Sequence, residues 1–370
     1  MNIHLFIALV LPFLLTIGVF MNSCTTETTT KTYSASHQPV EVMAPVQFSS
    51  QFQMYKKFFF ERASRKPKRV LPQVSAELGR LLSGKGNEVK GIWLGHSSLL
   101  LRLDGYTILT DPVFEPRVTI VGPTRFNCQL PLDVKNVPEL DVVLISHDHY
   151  DHLNRFSIRR LTNRTKLFLI PPGVGKYLRK WGVPEHKITE VDWWQQVKIS
   201  GRLSIWATPA QHFSGRGLFD RNSTGWNSWS LIGKGHRLFF SGDSGYFEGF
   251  REIGNRFGPF DVTFMECGAY NEHWSKIHMF PEQTVQAHID LQGRFLNPIH
   301  WGTFDLALHS WYEPMKRVTT AAWERGVTLS TPIMGRLVDY ELAPVPDLWW
   351  DRVIAGEKGD PAAEMVAMEY

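Results

Sequence analysis

The stretch that decides the reading is His147-Asp148-His149-Tyr150-Asp151-His152, set directly behind the apolar run of residues 141–146. A short apolar run of this kind predicts a buried strand, and a strand end is a rigid place from which to present side chains into a cleft. Alternate residues of an extended chain project to the same side. His147 and His149 can therefore reach one metal ion, while the turn that follows lets Asp151 and His152 reach a second. Imidazole with carboxylate is a common ligand set for catalytic metal sites, in which a coordination position stays open.

Working outward, the same arrangement recurs. Residues 203–208, 237–241 and 295–299 also read as apolar strands, and they lead to His212, Asp243 and His300. Four strands that each end on a metal-type ligand are not explained by core packing. Around them, residues 92–103 and 106–114 read as strand-like runs about Asp104-Gly105, a strong hairpin signal. Further strands are expected at 166–170, 188–191, 196–199, 261–265 and 327–333, with helices at 173–181, 247–257, 281–291 and 313–324. A hairpin-rich early part followed by alternating helices and strands predicts an α/β sandwich, two mixed β-sheets flanked by helices. No internal repeat is visible in the sequence.

The strings around these ligands resemble the metallo-β-lactamase superfamily, whose HxHxDH signature matches His147 to His152. The resemblance implies an αββα sandwich, with His147, His149 and His212 on one ion, Asp151, His152 and His300 on the other, and Asp243 between them. It further implies a dinuclear centre, zinc in the first instance and manganese or iron as alternatives, with a bridging hydroxide as nucleophile. A narrower resemblance, to N-acyl-phosphatidylethanolamine-hydrolysing phospholipases D, covers roughly residues 90–315. It rests on Trp93-Leu94-Gly95-His96-Ser97-Ser98, Leu109-Thr110-Asp111-Pro112-Val113-Phe114, Gly122-Pro123-Thr124-Arg125-Phe126, Thr208-Pro209-Ala210-Gln211-His212, Gly242-Asp243-Ser244-Gly245-Tyr246 and His300-Trp301-Gly302-Thr303-Phe304. By that resemblance Arg216 and His278 are substrate-binding candidates, joined by Tyr150 from within the signature. Asp151, Asp243 and His278 are the catalytic candidates. The chain departs from the family at Gly268-Ala269-Tyr270-Asn271-Glu272-His273-Trp274 and at Gly335-Arg336, in the expected substrate region.

The implied activity is hydrolysis of a phospholipid phosphodiester. The alternatives are hydrolysis of an ester, lactone or amide on the same fold, or a surface binding protein without catalysis. An intact set of seven ligands speaks against the last. Of the other histidines, His96 reads as a support for the ligands, His288 as a helix residue that can reach the cleft, and His4, His37, His186 and His236 as inert.

Composition agrees with a globular enzyme: 370 residues, 43% hydrophobic, 21% charged, and a net charge of +4 that gives no reason to expect a nucleic-acid partner. Three cysteines without a CxxC pair make a cysteine metal site a poor reading, and Cys128 and Cys267 either pair or serve as small buried groups. Residues 5–20 form an apolar run short for a membrane span. Residues 1–23 are expected to be a lipoprotein-type signal peptide ending before Cys24; an ordinary signal peptide or an uncleaved anchor are the alternatives. Residues 24–47 then form a tether. Residues 48–89 form a strap whose aromatic and basic residues either dock on anionic lipid or pack on the body. Residues 90–345 are the hydrolase domain and 346–370 a tail. A membrane-anchored protein of the cell envelope is the implied location, with its oligomeric state open.

Overall fold

The computed structural model describes residues 65–84, 86–120, 122–217 and 219–357. The expected signal peptide, the tether and the first part of the strap lie outside the described residues. The first sheet takes β1 (Val89–Gly95), β2 (Ser98–Leu103), β3 (Tyr106–Thr110), β4 (Leu140–Leu144), β5 (Thr165–Ile170) and β6 (Ile188–Glu190). The second takes β7 (Gln196–Lys198), β8 (Leu203–Thr208), β9 (Ser228–Gly233), β10 (Arg237–Phe240), β11 (Phe260–Glu266), β12 (Gly293–Ile299) and β13 (Thr328–Leu329). The chain then returns as β14 (Leu337–Asp339) to pair antiparallel with β1, so both sheets have seven strands, in the orders β14-β1-β2-β3-β4-β5-β6 and β13-β12-β11-β10-β9-β8-β7.

Alternation along the first sheet explains its place between two layers. Leu99, Leu101, Ile108, Val142, Leu144 and Leu169 belong to the core shared with the second sheet. Their alternates Leu100, Leu109, Val143, Phe168 and Ile170 pack in a second cluster with Ile158, Leu161 and Leu178. Those three sit on α2 (Arg155–Leu161) and α3 (Gly175–Lys180), which cover the outer face together with α1 (Leu78–Leu82). The outer face of the second sheet carries α4 (Gly249–Phe257), α5 (Pro281–Asp290) and α6 (Glu313–Glu324), through Phe250, Ile253, Val285, Met315 and Val318. The expected sandwich of two mixed sheets between helices is what the chain forms.

Several local readings change. The run 92–103 is two strands, because Gly95 (φ 102°) and His96 (φ 54°) turn the chain back on itself. The Asp104-Gly105 hairpin forms as expected, with φ of 48° and 90°, the pair of left-handed residues that a type I′ turn needs. Strand β9 was not expected. It is buried at Ser228, Trp229, Ser230 and Leu231, so it lacks the polar-apolar alternation of a half-exposed strand. The body also extends past residue 345. There α7 (Trp349–Glu357) lays Trp349 and Trp350 fully into the core, with Trp349 stacked 5.1 Å from Trp301. The strap likewise contributes buried Leu71 and Leu81. Cys128 is exposed, Cys267 is buried, and the two are not bonded.

Candidate metal centre

The parallel strands of both sheets end at one seam, and the signature string lies there behind β4. His147 Nε2 comes within 2.8 Å of His149 Nδ1, and His212 Nε2, delivered by β8, within 3.2 Å of the same atom. Beside this triad, Asp243 Oδ2 stands 3.1 Å from His152 Nε2 and 3.2 Å from His300 Nε2. Asp151 Oδ2 lies 3.5 Å from each of those two nitrogens. Asp243 Oδ2 is also 3.8 Å from both His147 Nε2 and His212 Nε2, which puts one carboxylate oxygen between two groups of ligands. All seven residues singled out in the sequence therefore meet, in the two groups expected of them.

The donor atoms fit a pair of cations. His152 Nε2, His300 Nε2 and Asp243 Oδ1 are buried without a hydrogen-bond partner, a costly state for polar atoms unless a cation takes their lone pairs. Three of the cluster's histidines have their Nδ1 tied down, whereas His300 Nδ1 is buried without a partner like its Nε2. His147 Nδ1 donates to Ser146 Oγ (2.9 Å), His152 Nδ1 to Asp111 Oδ2 (2.7 Å) and His212 Nδ1 to the Ile277 carbonyl (3.0 Å). With the proton held on Nδ1, each Nε2 presents its lone pair to the centre. Burial holds His147 and His212 well below the usual histidine value, in the neutral form that ligates metals. Burial acts the same way on His152, but the Asp243 and Asp151 carboxylates outweigh it and push that imidazole well above its usual value. The same negative field would attract a divalent cation.

Several supports were not assigned a role from sequence. Asp111, behind β3, accepts from Ser146 N (2.7 Å), Ser146 Oγ (2.5 Å) and His152 Nδ1. Glu266, which closes β11, is fully buried; it accepts from Ser244 N (2.7 Å) and from His278 Nδ1 (2.8 Å). Burial, and Asp243 next to it, raise its pKa well above the usual carboxylate value. Both fit the rule that found the ligands, a polar residue closing an apolar strand, and that rule was the available signal. His96 has the supporting role expected of it, its Nε2 donating to Asp151 Oδ2 at 2.9 Å. His96, Asp111 and His300 hold φ of 54°, 34° and 65°, so three residues of this cluster carry backbone strain of the kind found at functional sites.

His278 lies beside the centre, its ring 5.3 Å from that of His212 and 5.4 Å from that of His300, and burial lowers its pKa to about 4. Arg216 and Tyr150, named in the sequence as substrate-binding candidates, lie against the ligand loop and against each other. The Arg216 guanidinium donates to the Asp148 and Leu153 carbonyls of the ligand loop and stacks 3.8 Å over the Tyr150 ring. Tyr150 Oη in turn donates to the Arg216 carbonyl. His288 does not reach the cleft; it is buried against Thr263 Oγ1 at 2.7 Å.

Residues 106–301 match the family model of the β-lactamase superfamily domain. An uncharacterised protein of Mycobacterium tuberculosis is 42% identical over 295 residues, which span 78% of each chain. The N-acyl-phosphatidylethanolamine-hydrolyzing phospholipase D 1 of Caenorhabditis elegans is 35% identical over 242 residues, 61% of this chain and 67% of its own. Among solved structures, the metallo hydrolase Igni18 of Ignicoccus hospitalis shares the fold, with a TM-score of 0.51 at 22% identity over 68% of this chain and 97% of its own. The chain thus belongs to the β-lactamase superfamily and is a hydrolase of the metallo-β-lactamase fold, with phospholipase D homologues among its relatives.

Proposed function

We propose that this hydrolase is a phosphodiesterase that carries two zinc ions and cleaves phospholipids of the N-acyl-phosphatidylethanolamine class. The observation that carries the reading is the meeting of all seven ligands in a chain 35% identical to a phospholipase D that hydrolyses that lipid class. His147, His149 and His212 hold one ion, Asp151, His152 and His300 the other, and Asp243 both. Metals so held supply Lewis acidity and a water whose pKa falls to near 7. With Asp151, fixed by His96, and Asp243 as the only carboxylates among the ligands, two divalent ions leave the centre net positive, which suits an anionic phosphodiester. His278 is the substrate contact. With Nδ1 spent on Glu266, its Nε2 is the atom left to meet a phosphate oxygen or the leaving group.

The test is one purified enzyme offered bis(p-nitrophenyl) phosphate, a panel of phospholipids, a lactone and nitrocefin. The reading expects the highest kcat/KM on a phospholipid diester; faster turnover of the lactone or of nitrocefin would move the chain to the ester, lactone or amide reading. A lipidated Cys24 and a place in the cell envelope complete the proposal. They predict incorporation of a fatty-acid label that Cys24→Ser abolishes, and a label that persists in the variant would contradict them.

A further inference from the structure

The loop that carries four of the seven candidate ligands is held from outside the metal cluster, and one side chain, that of Arg216, bridges its two ends. Residues 147–153 fold into a tight turn in which His152 N and Leu153 N both donate to the His149 carbonyl, at 3.1 and 2.8 Å. That turn leaves the carbonyls of Asp148 and Leu153 in need of donors. Arg216 Nη1 supplies both, at 2.5 and 2.9 Å. Asp148 stands between His147 and His149, and Leu153 follows His152, so a single guanidinium pins the two ends of the ligand run.

The guanidinium is itself flanked by aromatic rings. Its Cζ lies 3.8 Å from the Tyr150 ring centre and 5.4 and 5.6 Å from those of Tyr177 and Trp181. Its own backbone N donates to Asp220 Oδ1 at 3.0 Å, and its carbonyl accepts from Tyr150 Oη at 2.9 Å. The Asp148 carboxylate closes the arrangement. Oδ1 accepts from Gly215 N at 2.8 Å and Oδ2 from Tyr177 Oη at 3.3 Å. Arg216 lies only four residues beyond His212, so the contacts join the ligand loop of the first sheet to the ligand delivered by the second.

We propose that Arg216 is a positioning residue, a clamp between the two ligand-bearing loops that sets the affinity of the centre for its metals and does not bind the substrate. The inference rests on the metal-centre reading above. One nitrogen, Nη1, meets both carbonyls, and the planar guanidinium at the same time lies over the Tyr150 ring, a stacked partner that a lysine ammonium does not match. Loss of a group that orients metal ligands typically costs about 10- to 100-fold in metal affinity.

The experiment is a zinc titration of the apo full chain in competition with a chromophoric chelator, for the parent, Arg216→Lys, Arg216→Ala and Tyr177→Phe. Far-UV circular dichroism of each apo form monitors folding. Both Arg216 variants are expected to bind zinc about 10- to 100-fold more weakly. Saturating zinc should restore most of their kcat, while KM for bis(p-nitrophenyl) phosphate stays at the parent value. Tyr177→Phe removes only the hydroxyl that meets Asp148 and, at 3.5 Å, Asp220, and it should show a smaller loss of the same kind. It keeps the test open if Arg216→Ala does not fold. Unchanged zinc affinity with a KM raised tenfold or more would make Arg216 a substrate-binding residue and overturn the clamp, as would variants that match the parent throughout. A parent chain that takes up no zinc would instead overturn the metal-centre reading, and the clamp with it.

Discussion

In the first sheet an antiparallel run, β14-β1-β2-β3, passes into the parallel strands β4, β5 and β6; in the second, β7-β8-β9-β10 passes in the same way into β11, β12 and β13. The plan is shared, but the candidate ligands are not supplied alike. The first sheet delivers four of them from a single loop behind β4. The second delivers three from three separate strand ends, His212 behind β8, Asp243 behind β10 and His300 behind β12. A loop can gather adjacent residues by turning tightly. Separate strands can gather distant residues only through the register of the sheet. The first half of the centre therefore depends on local turn geometry, and the second on the packing of the sandwich. The two meet at several points, His212 with His149, His300 with Asp151 and, within 3.8 Å of residues from both, Asp243.

The largest expected effect lies at Asp243. Asp243→Asn should cut kcat/KM on any substrate by at least about a thousandfold, roughly 4 kcal/mol in the barrier. It should also lower the bound metal measured by elemental analysis. A variant that keeps both near parent values would show that the halves hold metals independently of this carboxylate.

How much of this was legible in the sequence follows from the same contrast. The HxHxDH string is visible because its residues are adjacent, and His212, Asp243 and His300 because each closes an apolar strand. Asp111 and Glu266 close apolar strands too, yet single residues at strand ends carry no label that separates a ligand from its support. The surroundings of Arg216 were hidden for a similar reason. Proximity in sequence to His212 says that it lies near the centre, but only the fold shows its guanidinium turned to the loop carbonyls. Trp349 and Trp350 fell in an expected tail because the indoles that receive them, Trp301 and Trp311, lie far back in the chain. Strand β9 was hidden because it is buried at four successive residues and lacks alternation, although it pairs with its neighbours β8 and β10; the return of β14 to β1 depends on pairing at long range.

A smaller effect is expected at Asp111, which supports the first half alone. It accepts from three donors, and an amide in its place would turn an NH2 toward one of them. Asp111→Asn should lower metal affinity or kcat/KM by about 10- to 100-fold, read by zinc titration and by steady-state assay. An unchanged affinity would mean that His152 keeps its orientation without the carboxylate.

The smallest change concerns the seam itself. Gly242 has φ 57°, and a Cβ there would stand 2.5 Å from the Ser146 Cβ, just ahead of His147 in the other half. Gly242→Ala should cost about 1–3 kcal/mol in urea-induced unfolding. No loss would mean that the halves can part slightly at no cost.

The most direct test of the central claim, that two half-sites meet to hold a pair of ions, is the metal content of the parent chain. Protein purified after growth with zinc, or reconstituted with it, should contain close to two metal ions per chain by elemental analysis. A value near zero after careful reconstitution would contradict the account.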